Sequence, residues 1–250
     1  DILNLPSSPR LLIHSLCVLI AITSLENDIV DFVSGYNSQL KLGINNESLT
    51  LIFKCFLFLY WLWLVNLFNF MDGMDGITAS QTCTFSAGIV LLSIYGSLPS
   101  QYSYIGLIIF SSFVGFLFWN MPPAKIFLGD SGSIPLGFLI SSIIIINLIN
   151  QQNFVPSIIL ILYYFLDSTL TLIIRIIKRK NVFEAHSEHF YQKKIRSGNN
   201  HLKVLKKINI VNISLLIFSL LYVKYKILSL VLSFTLVFIL LNWLNKKNDL

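Results

Sequence analysis

Charge is scarce in this sequence. Only 12% of its 250 residues are Asp, Glu, Lys or Arg, against 55% hydrophobic, and the mean hydropathy is +0.73. A chain so poor in charge cannot clothe a soluble domain in polar surface, which leaves a protein that crosses a membrane several times. Cysteine is sparse too. Cys17, Cys55 and Cys83 lie within or beside apolar runs at no paired spacing, so they read as small core residues rather than as disulfides or a zinc site. Also lacking is the ten-residue alternation of polar and apolar side chains that a membrane β-barrel requires; Ser141-Ser-Ile-Ile-Ile-Ile146, for one, does not alternate. No internal repeat and no low-complexity tail occurs.

What is present is long apolar runs. A helix needs about 20 apolar residues to span the hydrocarbon core, and eight runs qualify, at roughly 11–25, 49–70, 77–98, 102–120, 134–149, 154–177, 208–223 and 227–244. The expected fold is therefore all-α, a polytopic transmembrane helical bundle of about eight spans forming a single domain over residues 1–250. Pro6, Ser7, Ser8 and Pro9 forbid a helix until Leu11. The acidic stretch from Glu26 to Glu47, with Gly35, Asn37 and Gly43 as turn signals, reads as the first loop. The chain opens on Asp1 rather than Met, so either its N-terminus has been removed or it is a piece of a longer protein.

The net charge is +6, and half of the 18 Lys and Arg lie between Lys178 and Lys207, against only Glu184 and Glu188. By the positive-inside rule this segment is cytoplasmic. A nucleic-acid-binding patch is the competing reading, but the segment lies between two hydrophobic spans, so no nucleic acid is expected. Crossing once per span from there puts residues 120–133, 71–76 and Asp1 on the same cytoplasmic face.

Three clusters on that face hold groups capable of chemistry. Asn66-Leu-Phe-Asn69-Phe-Met-Asp72-Gly-Met-Asp75-Gly76 ends an apolar run, where ionisable groups are costly and mark a functional site. Asn69, Asp72 and Asp75 recur at i, i+3, i+6, on nearby faces if the helix continues through them, and the two glycines let a ligand approach backbone. These are oxygen donors of the kind Mg²⁺ takes from protein before completing its shell with substrate phosphates and water. The second cluster, Phe127-Leu-Gly129-Asp130-Ser131-Gly132-Ser133, suits either a helix N-cap or a metal and phosphate contact. The third is Glu184-Ala-His186-Ser-Glu188-His189-Phe-Tyr-Gln192. Zinc fits it poorly, with no Cys or third His nearby. Imidazole or imidazolium donors among Lys and Arg suit a pyrophosphate. Asp167 stands apart, deep in the 154–177 span, either as a proton-relay carboxylate of a transporter or as part of the lining of the same cavity.

Taken together, Asn66-x-x-Asn69-x-x-Asp72-Gly-x-Asp75-Gly, Phe127-Leu-Gly-Asp130-Ser-Gly-Ser and Ala185-His186-x-x-His189-Phe-Tyr-Gln resemble the polyprenyl-phosphate N-acetylhexosamine-1-phosphate transferases, glycosyltransferase family 4. The resemblance runs the length of the chain. It implies transfer of an N-acetylhexosamine 1-phosphate from a UDP-sugar to undecaprenyl phosphate with release of UMP, dependent on Mg²⁺ or on Mn²⁺ in its place. The setting it implies is the cytoplasmic face of a bacterial inner membrane, at the first membrane step of cell-envelope polysaccharide synthesis, with a homodimer compatible.

Residue by residue, the resemblance makes Asn69 and Asp130 the metal positions, Asp72 and Asp130 site carboxylates, Asp75 the residue near the uracil, and His186 and His189 the pyrophosphate-side motif. Asn66, Gly76 and Arg179 join the substrate-binding set. Asp1 matches the second member of an Asp-Asp pair that the family carries before a short turn and an Arg, here Arg10, and counts with the catalytic carboxylates. The helices preceding that pair in the family are expected upstream. Glu188 stands where several branches carry His. The alternative to a working enzyme is an inactive fragment, or half of a split transferase, that retains nucleotide-sugar or lipid binding.

Overall fold

A computed structural model of the chain describes residues 7–41, 43–181, 184 and 186–246. Among the described residues the regular structure is helical throughout, in eleven helices. They fall into two compact units, each discontinuous in sequence: Asp1–Asn69 with Asp130–Phe154, and Phe70–Gly129 with Val155–Leu250.

The first unit contains α1 (Ser7–Ser24), α2 (Glu26–Leu40), nearly all of α3 (Asn46–Met71) and α6 (Gly129–Ile149). Its core is Val18 and Ile22 of α1, Ile29 and Val33 of α2, Leu57, Trp61 and Val65 of α3, and Ile145 and Ile149 of α6. In each helix these recur at helical spacing and put one apolar stripe inward. The stretch expected to be the first loop is therefore mostly helix. Ile29 and Val33, four residues apart and buried, outweigh Gly35 and Asn37, while Glu26 and Asp28 in the first turn favour the positive end of the helix dipole. The turn comes later, at Lys41, which caps α2 in the left-handed conformation.

Close approach of α3 and α6 depends on Gly137. A Cβ there would lie 2.7 Å from the Val65 carbonyl oxygen and 3.0 Å from Phe68 Cβ. Backbone cannot yield as a flexible side chain can, so Gly137→Ala is expected to cost about 1–3 kcal/mol. Thermal unfolding in detergent reads this as a drop of several degrees, and an unchanged midpoint would contradict it.

The second unit contains α4 (Ile77–Ile94), α5 (Gln101–Asn120), α7 (Val155–Leu160), α8 (Leu162–Ile177), α9 (Phe190–Arg196), α10 (His201–Tyr222) and α11 (Lys226–Asn245). α4 packs on α5, α7 and α10, and α10 on α11. Small residues make this possible, as in membrane helix pairs generally: Gly106 of α5 faces Val90 and the Ser86 carbonyl, and Gly88 of α4 receives Leu160. The buried hydroxyls of Thr82 and Ser86 donate back to the carbonyls of Thr78 and Thr82 at 2.8 and 2.7 Å.

Among the described residues six helices are long and apolar enough to cross a membrane: α3, α4, α5, α6, α10 and α11. α3, at 26 residues and about 1.5 Å per residue, exceeds the roughly 30 Å hydrocarbon thickness. Of the two remaining apolar runs, that at 11–25 lies in α1, whose apolar part Pro9–Ser24 is shorter. The run at 154–177 is broken at Ile161, whose N–H bonds back only three residues, to Ile158 at 3.1 Å. The Leu160 carbonyl at this break accepts the buried Gln81 side-chain amide at 2.8 Å, which meets the need of a backbone acceptor in an apolar interior.

Candidate active site

In the first unit the chemistry gathers where α1, α3 and the first turn of α6 meet. Asn66 and Asn69 lie one turn apart on α3, and Arg10 and His14 one turn apart on α1. Asp130 sits inside the first turn of α6, after Gly129 in a left-handed conformation (φ 63°), rather than at a capping position. Asn69 Nδ2 donates to Asp130 Oδ1 at 3.1 Å, and the Arg10 guanidinium pairs with Oδ2. Asn66 donates to the Leu62 carbonyl at 2.7 Å and lies near His14. Asp130 is about 40% exposed, open enough to be reached by ligand.

In the second unit the helical spacing expected to carry Asp72 and Asp75 does not continue. α3 stops at Met71 and α4 begins at Ile77, so both carboxylates stand in a turn. Gly76 adopts φ 75° as the N-cap of α4, a conformation glycine takes without the usual steric cost. Its N–H donates to the buried Asn120 side chain at 3.0 Å, and Asn120 Nδ2 donates to the Ile126 carbonyl at 2.8 Å. Asp75 Oδ2 accepts the Ala124 N–H at 3.1 Å and lies 3.7 Å from His201 Nδ1. Asp75, His201, Asn200, Leu202, Pro122 and Pro123 line a cleft of about 410 Å³ with a mainly apolar floor.

The turn's other side meets the histidine segment. A Cβ on Gly73 would collide with the Tyr191 hydroxyl and stand 2.8 Å from Gln192 Nε2, while Tyr191 Oη donates to the Phe70 carbonyl at 3.4 Å. Tyr191 is fully buried. Burial and the Asp167 and Asp72 carboxylates push its phenol far above its ordinary range, so it stays a neutral donor.

The histidine segment is held from α8. Asp167 is fully buried and accepts hydrogen bonds from the Phe190 N–H (3.1 Å), Thr171 Oγ1 (3.3 Å) and Tyr163 Oη (3.3 Å). His189 Nδ1 lies 3.2 Å from the same carboxylate. Eight residues along, the nearly buried Arg175 pairs with Glu188 at 3.3 Å and also bonds the Asn181 carbonyl. Arg175 and Asp167 do not pair with each other; each grips one of two consecutive loop residues. This is an anchor, not a chain of carboxylates for carrying protons.

Arg175, Lys180, His186, Glu188 and Arg196 line a second cleft of about 410 Å³. Lys180 hydrogen-bonds Glu188 and holds its carboxyl below the usual range. Arg179 turns away in an exposed left-handed turn and does not join this lining. Burial, the neighbouring His189 and Arg175 lower the pKa of His186 to about 4. The imidazolium entertained for it from the sequence is thus absent near pH 7. Its Nδ1 accepts the Glu188 N–H at 3.4 Å, which leaves the proton on Nε2 as a neutral donor.

Because the unfolded chain binds this proton more tightly than the folded one, stability should be lost as the pH falls from about 6.5 towards 4. His186→Asn should flatten that limb of a plot of unfolding temperature against pH, and an identical slope in the variant would contradict the assignment.

Asp1 lies outside the described residues. Asn66, Asn69 and Asp130 come together in the first unit, and Asp72, Asp75, Gly76, His186 and His189 belong to the second. Given no role from the sequence were His14, Asn120 and His201, while Tyr191 and Gln192 stood there only as the end of the histidine motif. Tyr163, Asp167, Thr171 and Arg175 carried a signal: polar residues at an unbroken spacing of four along an apolar helix.

Comparison with known proteins fits this geometry. The profile of glycosyl transferase family 4 matches residues 1–148, a stretch that includes Asn69, Asp72 and Asp130. The probable undecaprenyl-phosphate N-acetylglucosaminyl 1-phosphate transferase of Bacillus subtilis is 30% identical over 187 residues, 72% of this chain and 51% of that one. The undecaprenyl-phosphate alpha-N-acetylglucosaminyl 1-phosphate transferase of Thermotoga maritima is 28% identical over 147 residues, 58% of this chain and 45% of that one. A phospho-N-acetylmuramoyl-pentapeptide-transferase of Staphylococcus carnosus is 25% identical over 205 residues, 80% and 60% respectively. The chain spans about half the length of the curated relatives it matches.

Proposed function

The chain belongs to glycosyl transferase family 4, and from that membership we propose that it transfers an N-acetylhexosamine 1-phosphate from a UDP-sugar to undecaprenyl phosphate at the cytoplasmic face of a bacterial inner membrane. An oxygen of the lipid phosphate attacks the β-phosphorus of the UDP-sugar. The bond from that phosphorus to the bridging anhydride oxygen breaks, and UMP departs with the electron pair. Both reactants are anions, so the protein's task is neutralisation and alignment more than covalent help.

The observation that carries this reading is the packing of the Asp72–Gly76 turn against Tyr191 and Gln192. It brings a carboxylate-rich turn and a histidine segment, more than 100 residues apart in sequence, into contact around groups suited to phosphate chemistry. The cleft at Asp75 and His201 has a mainly apolar lining with a few polar side chains, which suits the uracil ring. His186 Nε2–H, with Lys180 and Arg196 nearby, supplies donors for the diphosphate.

Asn69 and Asp130 fit Mg²⁺. Each has a hard oxygen to offer, they are neighbours through the Asn69 Nδ2 bond to Asp130 Oδ1 at 3.1 Å, and Asp130 is reachable from solvent. Among the described residues no group of three His, Cys, Asp or Glu could hold a metal, so most of the coordination would come from diphosphate oxygens and water, as Mg²⁺ prefers. Once bound, the ion supplies positive charge to the diphosphate and to the charge that develops as the anhydride breaks. Arg10, on the other oxygen of Asp130, orients the carboxylate. Vesicles holding the protein, undecaprenyl phosphate and Mg²⁺ should convert labelled UDP-N-acetylhexosamine to a butanol-soluble product. Failure with every such donor tried would refute the proposal.

A further inference from the structure

We propose that Asp167 is a positioning residue for His189. It holds the ring with the Nδ1 proton turned inward, so that Nε2 faces outward without a proton, as an acceptor able to take one from a group bound on the diphosphate side of the site. The proposal rests on the reading of the histidine segment as the diphosphate side of the site.

Four observations support it. Asp167 lies on a helix of apolar composition and is fully buried, where an unpaired carboxylate would be costly. Both of its oxygens are engaged, and the donors come from two places. Tyr163 and Thr171 lie one turn to either side on α8 and supply neutral hydroxyls at 3.3 Å. The other two are the Phe190 N–H at 3.1 Å and His189 Nδ1 at 3.2 Å, from a segment 22 and 23 residues on. A carboxylate is acceptor-only when ionised, so the nitrogen that faces it carries the proton.

Packing removes the alternatives. His189 is 3% exposed, stacks on Tyr191 with ring centroids 6.0 Å apart and has Phe70 at 6.5 Å and His186 at 5.2 Å. A ring enclosed in this way cannot flip to exchange its nitrogens without breaking the Asp167 contact. The main-chain bond from Phe190 to the same oxygen fixes the start of α9 as well, and the His189 N–H donates to Gln192 Oε1 at 3.2 Å. His186 is arranged the opposite way, with Nδ1 accepting from backbone. Both neighbouring histidines thereby turn Nε2 outward, His186 with the ring proton on it and His189 without.

The test is ¹⁵N NMR of the ring-labelled protein in lipid nanodiscs at about pH 8, well above the ordinary imidazole range. The sequence has four histidines, and the His189 signals are identified by their loss in His189→Gln. In the unaltered protein the Nδ1 of His189 is expected to be protonated. A proton on Nε2 with a bare Nδ1 overturns the proposal, and this result needs no folded Asp167 variant.

Asp167→Leu removes the acceptor, so it should free the proton to move to Nε2 and lower kcat about 10- to 100-fold, the size typical of a residue that orients another, with the donor KM unchanged. Thr171→Val deletes a neutral bond to the same oxygen and should leave both tautomer and kcat as they were. A folded Asp167→Leu protein whose His189 spectrum does not change overturns the positioning role even if turnover falls. Absence of transfer by the unaltered protein would refute the transferase reading instead, with the tautomer result still standing.

Discussion

Asp130→Asn is expected to lower phosphosugar transfer about 10³-fold, the size seen when a group stabilising transition-state charge is removed, while shifting the unfolding temperature by only a few degrees. The two effects separate because of where the carboxylate sits. Its pairing with Arg10 is about 40% exposed on both sides, and such pairs contribute about 0–1 kcal/mol to stability. For a chain of this length that is about 2–4 °C. The amide keeps the shape of the carboxylate and can still accept from Asn69, so the fold loses little. What disappears is the negative charge, without which Asn69 offers only a neutral oxygen to a divalent ion. Assaying transfer and thermal unfolding on the same preparation checks both halves. A variant that retains more than a tenth of the activity would remove Asp130 from the proposed metal pair.

The second large effect belongs to Gly73. Gly73→Val is expected to cost about 1–3 kcal/mol as an overpacking change and to reduce transfer about 10²-fold, because Tyr191 and Gln192 must move away from the turn that carries Asp72. Tyr191 cannot simply swing aside, being fully buried with its hydroxyl on the Phe70 carbonyl. Gly115→Ala is the control. Nothing lies within 4 Å of a Cβ there and the residue is in mid-helix, so the change should be neutral or slightly stabilising. Equal loss of activity in both variants would show that contact between the turn and the histidine segment is not what matters.

These two residues also show where sequence reading succeeds and where it stops. The apolar helices were legible because a membrane-spanning run must be long and nearly uncharged, and α3, α4, α5, α6, α10 and α11 fall where such runs lie. α2 was not, because its two buried residues are outnumbered by Glu, Asp, Asn and Ser that mimic a loop. The turn at Asp72 to Gly76 was half legible. Its residues announce chemistry, but the helical spacing of Asn69, Asp72 and Asp75 extends a helix that ends at Met71. The partners that give those residues their geometry are distant in sequence: Asn120 and His201 are ordinary in composition, and Tyr191 and Gln192, though part of the histidine motif, show their contact with the turn only in the fold. Asp167 is the instructive middle case. The costly charge was plain, and so was its distance from Arg175 along the helix, but that both reach forward to the same loop follows from where α9 begins.

One measurement bears most directly on the transferase account. Vesicles carrying the protein and undecaprenyl phosphate are given UDP-N-acetylhexosamines labelled in the sugar and in the uridine, with Mg²⁺, and both products are identified. The account predicts lipid-linked sugar phosphate formed mole for mole with UMP, and loss of both when the metal is chelated. Release of UDP in place of UMP would mean that the sugar moves without its phosphate, and would contradict the account at its centre.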